Sequence, residues 1–320
     1  MRLPLVLLAA TVAFAATPAL AQDHGGHANH AAHAAHVNAP ASAFISPRIS
    51  VTVVGEGPDV ILIPGLSSSP KVWDSTVAAL PGYRYHLVQV KGFAGTAPEA
   101  NGTGPVVHPV AEEIVRYIRD TGLTQPALVG HSMGGTLAMT VASHHPDLVG
   151  KLMVVDMFPY LGAMFGGPGA SPESVAPIAA QIRTGIATAT GDARRAQVEQ
   201  TIASMIRTEA LRPIAFADSM ASDPATSGQA MHDLIMTDLT ADLARFSGPF
   251  KVLWILPAGV PLDQATMEMF YRAAYARAPQ AVVTHIPDSA HFIMWDAPQR
   301  FQQELRDFLA AAPAATGGAH

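Results

Sequence analysis

The chain contains no cysteine. That absence excludes a thiolate nucleophile, a thiolate metal site and disulfide staples. Charge is also sparse: charged residues make up 14% of 320, and the formal net is -6. No basic block occurs, and no segment interleaves aromatic with basic side chains, so nucleic acid is not expected as a partner. Long apolar runs are missing except at residues 3–16. That run is too short to span a bilayer comfortably. Arg2 precedes it, and Ala19, Leu20 and Ala21 follow, so residues 1–21 are expected to be a secretory signal cut after Ala21. A cysteine-free exported chain fits a periplasm, with no stable membrane anchor.

What the chain does have is apolar content, 49% of its residues, enough to bury a full core. Residues 22–46 form a low-complexity stretch of Ala, Gly, Asn and His, expected to be a disordered linker. Within it His24, His27, His30, His33 and His36 recur at every third position. A polyproline-like backbone would align all five on one edge. Such tracts bind Zn²⁺, Cu²⁺ or Ni²⁺, so a divalent metal is a candidate partner; the plain alternative is a solvated tether. Residues 313–320 are expected to form a flexible tail.

From Pro47 onward, apolar strands and helical patterns alternate. Strands are expected at residues 49–54, 60–63, 83–90, in the apolar run leading into Ser132, and at 151–156, 251–255 and 281–286. Helical spacing at Val110, Ile114, Val115 and Ile118 marks one of the intervening helices. This alternation predicts a mostly parallel, doubly wound α/β sheet with helices on both faces. It is interrupted at residues 157–248, where Ser171-Pro172-Glu173 begins a helix and further helical patterns follow. The α/β frame is therefore expected at 47–156 and 249–312, with a helical insertion between.

The segment Gly130-His131-Ser132-Met133-Gly134 stands between a strand and a helix. So sharp a turn puts the serine at its tip in a strained backbone conformation. Glycines two residues before and after let the neighbouring chain pass. The turn aims the Met133 N–H and the helix N-terminus at the serine hydroxyl, as an activated nucleophile with an oxyanion site requires. The side chain of His131 is expected to point away.

The order strand, Pro64-Gly65 loop, Gly-x-Ser-x-Gly, helical insertion and late Asp288-Ser-Ala-His291-Phe resembles the α/β-hydrolase fold, in its lidded esterase-like branch. The resemblance covers about residues 47–311. It implies a lid inserted after the sixth core strand, Ser132 as nucleophile and His291 as its base. A serine hydroxyl is barely ionised at neutral pH, and an imidazole titrating at about pH 6.5 can take its proton and return it. The resemblance also places the second oxyanion donor at Leu66, beside Met133. For the acid, Asp156 follows three apolar residues at a strand end, and Asp263 precedes a helix start. Asp156 is placed first and Asp263 is the alternative. Asp288 and Asp296 are expected only to shape the histidine loop, and Ser67 to Ser69 only to turn the chain.

Trp73 and Phe93, on loops flanking the presumed cleft, and Phe158, at the entry to the insertion, are candidate pocket residues. The insertion also carries Met164, Met205, Met220, Met231 and Met236, which suit a permissive apolar pocket. The expected activity is cleavage of a small apolar carboxylic ester or lactone through an acyl-enzyme, with no cofactor. The alternatives are an amidase or peptidase of the same fold, and a periplasmic metal-binding protein with an idle hydrolase frame.

Overall fold

The structure is a computed structural model that describes residues 44–311 other than 168. The expected signal segment, all five tract histidines and the 313–320 tail lie outside the described residues. The linker was expected to reach residue 46, but the described chain is already packed at 44. The Phe44 ring meets Tyr117 edge-on at 5.0 Å, and the Arg116 guanidinium lies 4.2 Å from its centroid. Buried Ser46 accepts hydrogen bonds from the Arg48 and Ile49 amides.

Among the described residues, seven strands form one sheet: β1 (Ile49–Val54), β2 (Asp59–Ile63), β3 (Arg84–Val90), β4 (Ala127–His131), β5 (Lys151–Val155), β6 (Phe250–Trp254) and β7 (Ala281–His285). Their order is β1-β3-β2-β4-β5-β6-β7, with β1 antiparallel to β3 and every other pair parallel. The helices are α1 (Asp74–Ala79), α2 (Val107–Asp120), α3 (Met133–His144), α4 (Ala163–Gly166), α5 (Pro172–Thr188), α6 (Gly191–Met205), α7 (Arg212–Ala221), α8 (Pro224–Met236), α9 (Gln264–Ala274), α10 (Ile293–Asp296) and α11 (Pro298–Ala310).

Two-residue periodicity explains why the inner strands read as unbroken apolar runs. Ile61 and Ile63 of β2, with Leu152 and Val154 of β5, join a core that includes Ile114, Leu137 and Met267 from α2, α3 and α9. Val60, Leu62, Met153 and Val155 face the other way, onto Trp73 and α11 residues Phe301 and Leu305. Helix α2 buries one stripe, Val107, Val110, Ala111, Ile114, Val115 and Ile118, as an amphipathic surface helix should. Helix α3 is buried on every side from Met133 to Ser143, so it must be covered by more than the sheet.

Helix α2 and the 3-10 turn Asp242–Arg245 supply that cover. Helices α4–α8 lie between β5 and β6, so the insertion follows the fifth strand of the described sheet and not the sixth. The sixth-strand position came with the family resemblance, whereas the strand pattern itself puts five strands before residue 157. The Ser171-Pro172 start of α5 is a capping box: the Ser171 hydroxyl accepts from the Ser174 amide, and Ser174 Oγ accepts from the Ser171 amide. Tyr160, Val175, Ala179 and Ile235 give the insertion a small core of its own. Among the described residues, no helix is long and apolar enough to cross a membrane.

Because β2 to β7 run parallel, their carboxyl ends share one edge. The residues that follow β4, β5 and β7 meet there. The crossing at β4–α3 is the tightest point. A Cβ on Gly130 would sit 2.0 Å from the Gly134 carbonyl oxygen, and one on Gly134 would sit 2.1 Å from that of Ile63. Both obstructions are backbone and cannot rotate away. Gly134→Ala is expected to cost about 3 kcal/mol or more, measured by urea unfolding. A loss under about 1 kcal/mol would mean the crossing is looser than described.

Candidate active site

Ser132 occupies the step between β4 and α3 with φ 54° and ψ -122°. A non-glycine residue held there stores about 1–3 kcal/mol of strain, which surrounding contacts must hold in place. The Ser132 amide donates to the Val155 carbonyl at 2.9 Å, extending the β4–β5 ladder past the strand end. Its own carbonyl accepts from Gly135 at 2.7 Å and starts the helix. Met133 is the first helical residue, so its N–H has no partner within α3. The Gly65 turn presses against this point: a Cβ on Gly65 would lie 3.2 Å from Ser132 Cβ. Leu66, next in that turn, packs on the core that contains Met133.

Asp156 directly follows β5 with φ 53°, a left-handed conformation that aspartate tolerates better than most residues. Its Oδ2 lies 2.6 Å from His291 Nδ1. Its Oδ1 accepts from the Tyr271 hydroxyl at 3.0 Å and from the Ile255 amide at 3.4 Å. Tyr271 is fully enclosed. Burial, with the neighbouring Asp156 charge, holds its phenol well above the usual range, so it remains a donor. An ionised carboxylate at this distance requires the proton on His291 Nδ1, which leaves Nε2 free to accept.

Of the two candidate acids, the structure brings only Asp156 to the histidine. Asp263 is exposed and caps α9, its Oδ1 accepting from the Thr266 amide at 2.8 Å. That bond lowers the carboxyl pKa and commits the group to the helix end. Trp73 and Phe93 are not surface-facing cleft walls. Both are fully buried, Trp73 against Phe301 and Phe93 in the core beside α2, because large rings on these short loops turn inward out of water. Phe158 stacks on Tyr271, the phenol that donates to Asp156, with centroids 4.1 Å apart. A depression of about 290 Å³ bordered by Asn101, Arg183 and Gln229 contains none of these groups.

Residues 60–304 match the family described as the alpha/beta hydrolase family. The chain belongs to the alpha/beta hydrolase family. A pimeloyl-[acyl-carrier protein] methyl ester esterase from Aeromonas hydrophila is 34% identical over 129 residues, 40% of this chain and 49% of that protein. The chain thus spans about half the length of that relative. The sn-1-specific diacylglycerol lipase ABHD11 of Mus musculus is 26% identical over 79% of this chain and 81% of its own. The crystal structure of an enol-lactonase from Burkholderia xenovorans superposes with a TM-score of 0.65 at 16% identity, covering 82% of this chain and 96% of that one. A likeness of that depth shows the fold.

Three features of this hydrolase were not legible in its sequence. The first is His131, expected to point away. Its buried ring lies 4.6 Å from the His291 ring, and its Nε2 donates to the His291 carbonyl at 3.0 Å. Burial, with the His291 imidazole close by, holds its pKa well below the usual value, so it is neutral. The second is the serine loop, expected to be turn residues only. Ser69 donates from its amide (2.9 Å) and hydroxyl to buried Asp218 of α7, and Ser67 Oγ meets Ser227 Oγ of α8 at 2.8 Å. The third is Asp296, which shapes the histidine loop as expected by accepting from Ala290. It also accepts from the Arg207 and Thr208 amides, tying that loop to the insertion. Asp288 does no such work; its side chain is 98% exposed.

His131 gives a stability signature. It is neutral when folded and can protonate when unfolded, at about pH 6.5. Stability should therefore fall as pH drops below that value, by up to about 1.4 kcal/mol per pH unit for this group. His86, also buried with a lowered pKa, adds in the same direction. His131→Gln should reduce the slope of stability against pH between about 6.5 and 4.5, and an unchanged slope would count against a buried neutral ring.

Proposed function

We propose that this α/β hydrolase is a serine esterase that cleaves a small apolar carboxylic ester or lactone through an acyl-enzyme. The observation that carries the reading is the 2.6 Å bond between Asp156 and His291, at the sheet edge where strained Ser132 stands. In this reading Ser132 Oγ attacks the substrate carbonyl while His291 Nε2 takes its proton. The oxyanion is held by the N–H groups of Leu66 and Met133. His291 returns the proton to the departing alkoxide, and water then enters by the same route to release the acid. With a lactone the alkoxide stays tethered and the chemistry is otherwise unchanged.

Esterase and lipase activities among the relatives support an ester as the bond cleaved. The lactonase neighbour is the support for a lactone. The α4–α8 insertion acts as a lid in this reading, its methionines and phenylalanines favouring an uncharged acyl or alcohol group. Secretion through residues 1–21 to a periplasm belongs to the same proposal and rests on the apolar run after Arg2.

A fluorophosphonate probe should label the wild-type chain and leave Ser132→Ala unlabelled. Persistent labelling in that variant would refute the nucleophile. Asp156→Asn should slow acylation by roughly 10⁴ through loss of the imidazole tautomer. Asp263→Asn should stay within a few-fold of wild type and keep its thermal stability, because asparagine caps a helix as well as aspartate. Turnover on p-nitrophenyl esters of increasing chain length, beside a lactone panel, separates the two substrate classes.

A further inference from the structure

Far from Ser132, two imidazoles and a carboxylate converge where α2 begins and α3 ends. His108 and Glu112 are four residues apart on α2, so they share one face of that helix. His144 closes α3. One donor atom from each of the three lies within 4.8 Å of the others. The His108 and His144 rings are 6.0 Å apart at 70°. Beside them stands Asp242, in the 3-10 turn Asp242–Arg245 that leads from the insertion back to β6, with Oδ2 3.5 Å from His144 Nε2. Arg245 holds the other oxygen of Asp242 at 3.1 Å. On the far side, Glu112 Oε1 is 3.4 Å from His145 Nε2.

We propose that His108, Glu112 and His144 form a binding site for a divalent cation of the Zn²⁺ class, with Asp242 or water as the fourth ligand. The donor chemistry selects the ion. Two neutral imidazoles with one carboxylate suit Zn²⁺, Cu²⁺ or Ni²⁺ and are poor for Mg²⁺ or Ca²⁺. Ligands about 2.0 Å from a tetrahedral metal are about 3.3 Å from one another, so closure needs rotamer shifts of about 1 Å in half-exposed side chains.

The role follows from the place. Along α3 the site is about 17 Å from the serine end of the helix, so the ion takes no part in acyl transfer. It links the start of α2, the end of α3 and the turn through which the insertion rejoins the sheet. A metal bound there braces the chain at the point where the insertion returns to the core.

The test uses the full-length chain with His24, His27, His30, His33 and His36 each replaced by asparagine, so that the tract cannot mask the result. Titrated with ZnCl₂, this background should bind one equivalent with a Kd at or below about 10 µM. Its Tm should rise by about 5 °C at a hundredfold excess of zinc over Kd. Adding His108→Ala, His144→Ala or Glu112→Gln should weaken binding at least tenfold and remove the Tm rise. Glu112→Gln keeps the side-chain shape, so it serves if a histidine variant folds poorly. Absence of binding in the background, or binding that survives His108→Ala and Glu112→Gln unchanged, overturns the site. Labelling of Ser132 is independent of all these outcomes.

Discussion

The backbone crossing at the end of β4 is the constraint on which the rest of this molecule depends. The chain turns from strand to helix in one residue, with the Gly134 and Ile63 backbones almost in contact. That proximity forces Ser132 out of ordinary φ/ψ space and points the first amides of α3 along the serine side. It also sets the Gly65 turn against the serine. The strain is held by the Ser132–Val155 ladder bond and by a helix buried along nearly its whole length. A central helix that fluctuated could not hold so unfavourable a residue.

Around this fixed point the remaining groups arrive on loops, and each loop is tied down by a different part of the chain. The histidine loop is anchored three times: by Asp156 on the imidazole, by His131 on the carbonyl, and by Asp296 on the Ala290 amide. The first loop is anchored by Asp218 and Ser227, both from the insertion. The turn after α6 joins the histidine loop through Asp296 and through the Phe292 amide, which donates to the Met205 carbonyl. The insertion therefore grips both sides of the candidate site. Movement of these helices would be felt at the Gly65 turn and at the His291 loop together.

Much of this was legible in advance, for a physical reason. Parallel strands buried on both faces must be apolar throughout, so the strand pattern survives in sequence. The glycines around Ser132 are required by backbone contact alone, so the elbow is a local signal. The loop that carries His291 was legible. The carboxylate that bonds it was not, because Asp156 and Asp263 both follow apolar segments near the same edge. Only the direction of each side chain separates a histidine partner from a helix cap. His131 was misjudged because strand alternation gives its face but not the distance to a loop 160 positions away.

Local sequence thus determined the alternation of strands and helices and the kinked turn at Ser132, since each depends on neighbours within a few positions. Tertiary structure alone decided that Asp156 bonds the His291 imidazole and that His131 props its loop. It also decided that Trp73 and Phe93 serve the core, and that serines of the first turn fasten the inserted helices. Those outcomes depend on distances between segments far apart in the chain. Such distances are set by how the sheet twists and how the helices settle on it, and no spacing within one segment encodes them.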